Sequence, residues 1–99
     1  WGDTAEKIAS AVRAYHPWPV AYTSLDNLLI KIHQANVTTE PAKMSAGTIQ
    51  AITKDSLIVS TGEGCLAITH IQLPGKKAMA VKAILNAHHT KFVIGKQFK

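Results

Sequence analysis

Apolar residues first recur at helical spacing and then alternate as in strands. The helical stripe lies near the start of the chain: Ile8, Val12 and Tyr15. Asp3 followed by Glu6 forms the pattern of a capping box, so the sequence predicts a helix that begins after Asp3. Two prolines within residues 17–19 end this helix and hold the segment extended. Trp18 between them is predicted to be a core anchor, and the alternative is a platform for base stacking.

Alternation of apolar and polar residues predicts five strands in the middle of the chain. They cover residues 20–25, 28–37, 48–52, 56–60 and 65–73. Asp26 and Asn27 mark the turn between the first two strands. Along the fifth strand, the apolar positions are even up to Ile68 and odd from Ile71 onward. This change of face predicts a β-bulge or strong coiling, which a small barrel needs in order to curve.

The chain changes from extended to helical character after the fifth predicted strand. Pro74 cannot donate to a β-ladder and Gly75 tolerates a positive φ, so the strand should end there. The alanine-rich residues 78–86 predict a second helix. Residues 88–99 are expected to bring four apolar side chains back to the body: Phe92, Val93, Ile94 and Phe98. The whole pattern predicts a mainly β fold, a small OB-like five-stranded β-barrel with an N-terminal helix and a helix after the fifth strand.

Two lysines, Lys76 and Lys77, stand at the predicted junction between the fifth strand and the second helix. A cation at a helix N-terminus costs roughly 0.3–1 kcal/mol, because the helix dipole already places positive charge there. A bound phosphate would reverse that balance, since free backbone N–H groups, the dipole and both ammonium groups would attract it. The pair therefore suggests a polyanion contact. The alternative is a solvated loop in which the lysines serve solubility.

Composition points to one small domain with a basic surface. The 99 residues have a net charge of +5, and 46% of them are hydrophobic, which is enough for a single core. The positive charge favours nucleic acid or another anionic partner. A single cysteine excludes an internal disulfide and fits a cytoplasmic protein. No segment approaches the length of a membrane span, so we expect no membrane partner, and we expect a monomer. Because the chain starts at Trp1 without a methionine, we expect it to be a fragment of a longer protein.

The sequence offers no catalytic or metal centre. The glycine-rich turn at residues 61–64 precedes a strand, whereas a dinucleotide-binding fingerprint precedes a helix. His88 and His89 have no acidic or cysteine partner at ligand spacing. Cys65 lies within an apolar strand pattern and is predicted to be buried and inert. We therefore expect no catalytic residue, metal or cofactor within this chain.

Three short motifs stand out for their order and spacing. They are Trp1 with residues 12–14 and 17–19, then residues 47–49, and then Leu-Pro-Gly-Lys-Lys-Ala-Met at residues 73–79. Together they resemble the C-terminal domain of methionyl-tRNA formyltransferases, from Trp1 almost to the end of the chain, and the third motif is the most specific. Two departures concern loop shape only: Ala46 stands where the family usually has proline, and Val20 where it often has glycine.

The resemblance implies a division of labour within a longer enzyme. Residues 1–99 would be a single C-terminal, tRNA-binding domain with an OB-like barrel, joined by a linker to an N-terminal Rossmann-type catalytic domain. That absent domain would bind 10-formyltetrahydrofolate as co-substrate and transfer the formyl group to the amino group of initiator methionyl-tRNA, in translation initiation. Its catalytic asparagine, histidine and aspartate have no counterpart here. The resemblance implies that this domain holds tRNA through basic residues, largely without sequence preference.

The candidate tRNA-binding residues follow from the motifs and from charge. Lys76 and Lys77 lie in the third motif, and Arg13 lies in the first, where it could instead pair structurally with an acid. Three more residues are candidates on charge alone: Lys31, Lys82 and Lys91. A barrel that places the second strand beside the tail and the Gly75 loop would join these residues into a basic stripe. Because only 6% of residues are aromatic and most are expected in the core, binding should follow phosphates with little base stacking.

Two other functions stay open at this level. The same domain type accompanies folate-dependent formyltransferases that act on a nucleotide sugar or form part of a formyl-tetrahydrofolate dehydrogenase. There the barrel would complete the substrate cleft and bind no RNA. The other alternative is a purely structural domain that packs on its neighbour. The basic surplus favours RNA over the substrate cleft, whereas in a structural domain the charge would serve solubility alone.

Overall fold

Six antiparallel strands and two helices make up the computed structural model, which describes residues 1–16, 20–86 and 92–99. The elements are α1 (Ala5–Tyr15), β1 (Ala21–Leu25), β2 (Leu28–Val37), β3 (Ile49–Ile52), β4 (Leu57–Ser60), β5 (Cys65–Gln72), β6 (Ala78–Ala80) and α2 (Val81–Asn86). The predicted mainly β fold with a helix before and after the strands is confirmed. Within the described ranges there is one strand more than the five predicted.

The strands form one sheet in the order β1-β2-β5-β4-β3. One edge of β5 pairs with β2. Its other edge is shared: β4 pairs with residues 65–68 and β6 pairs with residues 70–72. β1 and β3 are the two ends of this path, and the path does not close through a strand pair between them.

A backbone segment, residues 95–99, connects the two ends of the sheet. The Lys99 N–H donates to the Ser24 carbonyl of β1 at 2.9 Å, and the Ser24 N–H donates back to the Lys99 carbonyl at 3.3 Å. On the other side, the Phe98 N–H donates to the Gly47 carbonyl at 2.7 Å, and two further backbone bonds join this segment to β3. The tail thus completes a barrel-like enclosure that the strands alone leave open.

The change of face predicted in β5 is confirmed as a bulge, and β2 carries a matching one. Ala35 pairs with Ile68, and Ile32 pairs with Ile71. Between these pairs, His33 of β2 and Thr69 of β5 have no direct partner in the register. Both strands therefore bend at the same level, as strands of a small barrel must.

Helix α1 begins one residue later than predicted. Thr4, not Asp3, is the N-cap, because the Thr4 Oγ1 accepts a hydrogen bond from the Lys7 N–H at 3.2 Å. Tyr15 was expected on the apolar face, but it is 51% exposed. The buried face is made of small residues, which let the helix lie close to the sheet: Ala5, Ala9 and Val12.

The core lies between α1, α2 and the inner face of the sheet. Its largest fully buried side chains come from the strands and α2, among them Ile30, Ile49, Leu57, Leu66, Ile68 and Ile71. Phe92 and Phe98 are buried as predicted, whereas Val93 and Ile94 are 43% and 57% exposed, so the prediction was wrong for these two. The Trp1 ring stacks on Phe98 with centroids 5.6 Å apart.

The second helix is shorter than predicted, because its first three residues form β6. Met79 pairs with Ile71 of β5, and the helix covers only Val81–Asn86. The edge of β5 beyond β4 would otherwise expose unpaired N–H and C=O groups, so strand pairing outweighs the helix propensity of alanine there. Neither helix in the described ranges is long enough to cross a membrane. The predictions for residues 17–19 and for residues 88–91, which include His88, His89 and Lys91, lie outside the described residues.

Candidate nucleic-acid interface

The loop of residues 73–77 joins β5 to a strand, not to a helix. The Lys76 N–H donates to the Leu73 carbonyl at 3.0 Å, and Gly75 has a φ of 71°, so the loop is a tight turn. Lys76 and Lys77 are both exposed on it. Because α2 begins only at Val81, the predicted helix N-terminus behind the lysines is wrong, and the dipole adds nothing to anion binding here. The loop presents two ammonium groups on a well-defined backbone.

Side chains from three distant parts of the chain support this turn. The Gln72 amide nitrogen donates to the Lys76 carbonyl oxygen at 2.9 Å, and Gln72 Oε1 lies 2.9 Å from His33 Nε2. His33 Nδ1 in turn lies 3.2 Å from His16 Nε2 at the end of α1. A carbonyl oxygen can only accept, so Gln72 must turn its nitrogen to Lys76, and His33 Nε2 must then donate to Gln72 Oε1. A polar chain therefore runs from α1 through β2 and β5 to the basic turn.

Lys31 lies beside the turn, as the predicted stripe requires. It is exposed on β2 and stands opposite Gln72 in the β2–β5 register. The two residues share a shallow concavity of about 190 Å³ with Leu29 of β2 and with the start of the turn, residues 73–75. The structure thus brings Lys31 and the loop of residues 73–77 to one surface.

The other candidates are not gathered at this surface. Arg13 is exposed, and its Nη2 donates to Ser10 Oγ at 3.2 Å. Among the described residues, the single ion pair joins Lys96 to Asp26 at 2.8 Å, so the suggested pairing of Arg13 with an acid is not formed. Lys82 is exposed on α2, which follows β6 and lies outside the loop of residues 73–77. The tail bonds to β1 and β3, so it does not extend the stripe beside β2 as expected.

Cys65, the one thiol, is buried as predicted. Its Sγ lies 3.5 Å from Gln50 Oε1 and 3.5 Å from the Pro41 carbonyl oxygen. Burial raises the pKa of the Cys65 thiol, and the nearby Glu40 carboxylate raises it further. A protonated, buried thiol is a poor nucleophile and a poor metal ligand. No cluster of three metal-ligating side chains occurs in the described part of the chain.

Comparison with known proteins identifies the family. A family model described as formyl transferase, C-terminal domain, matches residues 1–89. The chain belongs to this family. The match confirms the resemblance drawn from the three motifs, and the residues matched include the basic turn, Lys31, Arg13 and Lys82.

A curated relative shows which kind of formyl transferase this chain is similar to. This formyl transferase C-terminal domain is 38% identical over 96 residues to a methionyl-tRNA formyltransferase of Pseudomonas entomophila (strain L48). The alignment covers 97% of this chain and 30% of the relative. The domain therefore spans about a third of the length of that enzyme.

Proposed function

We propose that this chain is the C-terminal domain of a methionyl-tRNA formyltransferase and that it holds methionyl-tRNA through its phosphates. The contacts are made by Lys76, Lys77 and Lys31. A catalytic domain of the same protein, outside this chain, transfers the formyl group from 10-formyltetrahydrofolate to the methionyl amino group, in cytoplasmic translation initiation. The observation that carries the proposal is the basic turn of the family motif, exposed and braced by Gln72 next to Lys31.

The chemistry of this surface suits a phosphate backbone. The one ion pair among the described residues involves none of Lys31, Lys76 and Lys77, so their ammonium groups are not paired with an acidic side chain. Lysine binds phosphate as a point charge and does not select a base, which fits a contact that positions tRNA without sequence readout. Because hydrogen bonds already hold the turn, little loop entropy is lost when RNA binds.

A salt titration tests the proposal. Binding of tRNA to the 99-residue chain is measured by filter binding over a series of salt concentrations. With three to five phosphates engaged, the logarithm of the binding constant should fall against the logarithm of salt concentration with a slope of roughly −2 to −4.5. The double variant Lys76→Ala/Lys77→Ala should reduce the magnitude of that slope by up to about two units.

A matched control is available in Lys43→Ala, which removes one charge from the other end of the molecule. Lys43 is exposed in the loop after Val37, and its N–H donates to Gln50 Oε1, which lies beside Cys65 at the start of β5. Gln72, next to the basic turn, is at the other end of β5, roughly 20 Å away along the strand. The salt slope of tRNA binding by the Lys43→Ala variant should equal that of the unaltered chain. An unchanged slope in the double variant would remove these lysines from the interface. Absence of any salt-sensitive tRNA binding would favour a barrel that completes a non-RNA substrate cleft or packs structurally on its neighbour.

A further inference from the structure

An open aromatic surface adjoins the basic one. Tyr22 on β1 is 71% exposed, the highest value among the large hydrophobic side chains described, and Tyr15 at the end of α1 is 51% exposed. Both rings line one shallow concavity of about 290 Å³, together with Val20 and Ala21. Among the described residues, neither tyrosine side chain makes a hydrogen bond or a ring contact. The packing of the described residues therefore does not explain why an aromatic ring stands at either position.

The strand register joins this aromatic surface to the cations. Tyr22 stands directly opposite Lys31 in the β1–β2 pair, and Lys31 stands opposite Gln72 in the β2–β5 pair. Neighbouring strands lie about 4.8 Å apart, so this row of three residues is about 10 Å long at the backbone. The basic turn of residues 73–77 continues it beyond Gln72.

The charge of the row selects one kind of occupant. Among the described residues, no aspartate or glutamate lines either the aromatic concavity or the concavity beside the turn. On its other side, Tyr22 borders a concavity in which Asp3 is accompanied by Lys7 and Lys99. An aromatic face beside unneutralised lysines is the arrangement that binds single-stranded nucleic acid, because the base stacks on the ring while its phosphate meets the ammonium group. A basic or electrically neutral partner would leave these lysines without compensation.

We propose that Tyr22, with Tyr15 beside it, stacks an unpaired nucleobase of the RNA whose phosphates contact Lys31 and the basic turn. This proposal rests on the proposed function, since it needs the chain to bind RNA. It also revises the expectation that aromatic residues lie mostly in the core. The domain then distinguishes single-stranded from paired segments of its RNA, although it reads no particular base.

Two probes separate stacking from phosphate binding. They are a single-stranded oligoadenylate and an RNA duplex with the same number of phosphates, each titrated with the 99-residue chain by fluorescence anisotropy. Tyr22→Ala should weaken binding of the single strand by roughly 5- to 150-fold, and it should change duplex binding by less than about twofold. The salt slope should stay unchanged, since no charge is removed. Tyr22→Phe should keep the affinity, because it keeps the ring.

The controls distinguish the two proposals from each other. Ile94→Ala removes a side chain of similar exposure, 57%, outside the row, and it should leave both affinities unchanged. If Lys76→Ala/Lys77→Ala weakens both probes while Tyr22→Ala weakens neither, stacking is overturned and the proposed function stands. If neither probe nor tRNA binds the unaltered chain, both proposals are overturned. Equal weakening of single strand and duplex by Tyr22→Ala, or a self-association of the chain that Tyr22→Ala abolishes, also overturns stacking.

Discussion

Replacing Gly62 by alanine should destabilise the domain far more than the same change at Gly75. At position 62 an added Cβ would lie 1.8 Å from the Gly2 carbonyl oxygen, which is a backbone atom and cannot rotate away. Gly75 has a φ of 71° but open space around it, so alanine there meets backbone strain alone. The two variants separate steric blockade from conformational strain.

The expected loss of unfolding free energy in Gly62→Ala follows from the backbone hydrogen bonds that the added methyl group would break. The Gly62 N–H donates to the carbonyl oxygens of Trp1 and Asp3 at 3.0 and 2.9 Å. One more backbone bond joins the start of α1 to the same turn, residues 61–64. At about 1 kcal/mol each, their loss costs about 3 kcal/mol. Alanine recovers about 0.4–1 kcal/mol by restricting the unfolded chain. The net expectation is a loss of about 2–3 kcal/mol for Gly62→Ala and about 1 kcal/mol or less for Gly75→Ala.

Thermal unfolding followed by far-ultraviolet circular dichroism measures this difference. For a domain of this size, 1 kcal/mol shifts Tm by about 4–8 °C, so Gly62→Ala should lower Tm by about 10–20 °C. Gly75→Ala should lower it by no more than about 8 °C. Equal Tm values for the two variants would refute the argument that residues 1–3 must approach the turn of residues 61–64 closely.

Three further outcomes are expected. Gln72→Ala should weaken tRNA binding by about 2- to 10-fold without changing the salt slope, because the lysines stay while the brace on Lys76 is lost; a changed slope would contradict this. Cys65 should react with a thiol reagent at pH 8 only after unfolding, since burial and a raised pKa keep it protonated; rapid labelling of the folded chain would disprove it. Phe98→Ala should cost about 3–5 kcal/mol in denaturant unfolding, against less than about 1 kcal/mol for Ile94→Ala; similar losses would be inconsistent with their burial.

Local patterns predicted most of the strands because the determinants are themselves local. Asp26 and Asn27 form the first turn with positive φ values of 50° and 68°, which these two residue types tolerate better than most. β6 could not be predicted in the same way. Its three residues, Ala78–Ala80, have no periodicity, and they become a strand because β5 offers a free edge.

Only part of the candidate site could be predicted from the sequence, for a similar reason. Lys76 and Lys77 could be proposed as candidates because they lie in one contiguous motif. The brace through Gln72 and His33 joins residues whose separation matches no helical or strand period. Thr23 shows the same limit: it is buried because its hydroxyl accepts from Trp1 and donates to the Lys99 carbonyl, and this placement leaves the neighbouring tyrosine outside.

The tail that joins β1 to β3 has a consequence for how the protein is made. During synthesis from the N-terminus, residues 95–99 leave the ribosome after every strand, so a nascent domain holds all six strands while the outer edges of β1 and β3 are still uncovered. Exposed edges of this kind pair readily with other chains. The backbone hydrogen bonds between Ser24 and Lys99 join residues 75 positions apart, and such long-range contacts form slowly. The interval before the tail docks is therefore when the chain most needs protection from aggregation.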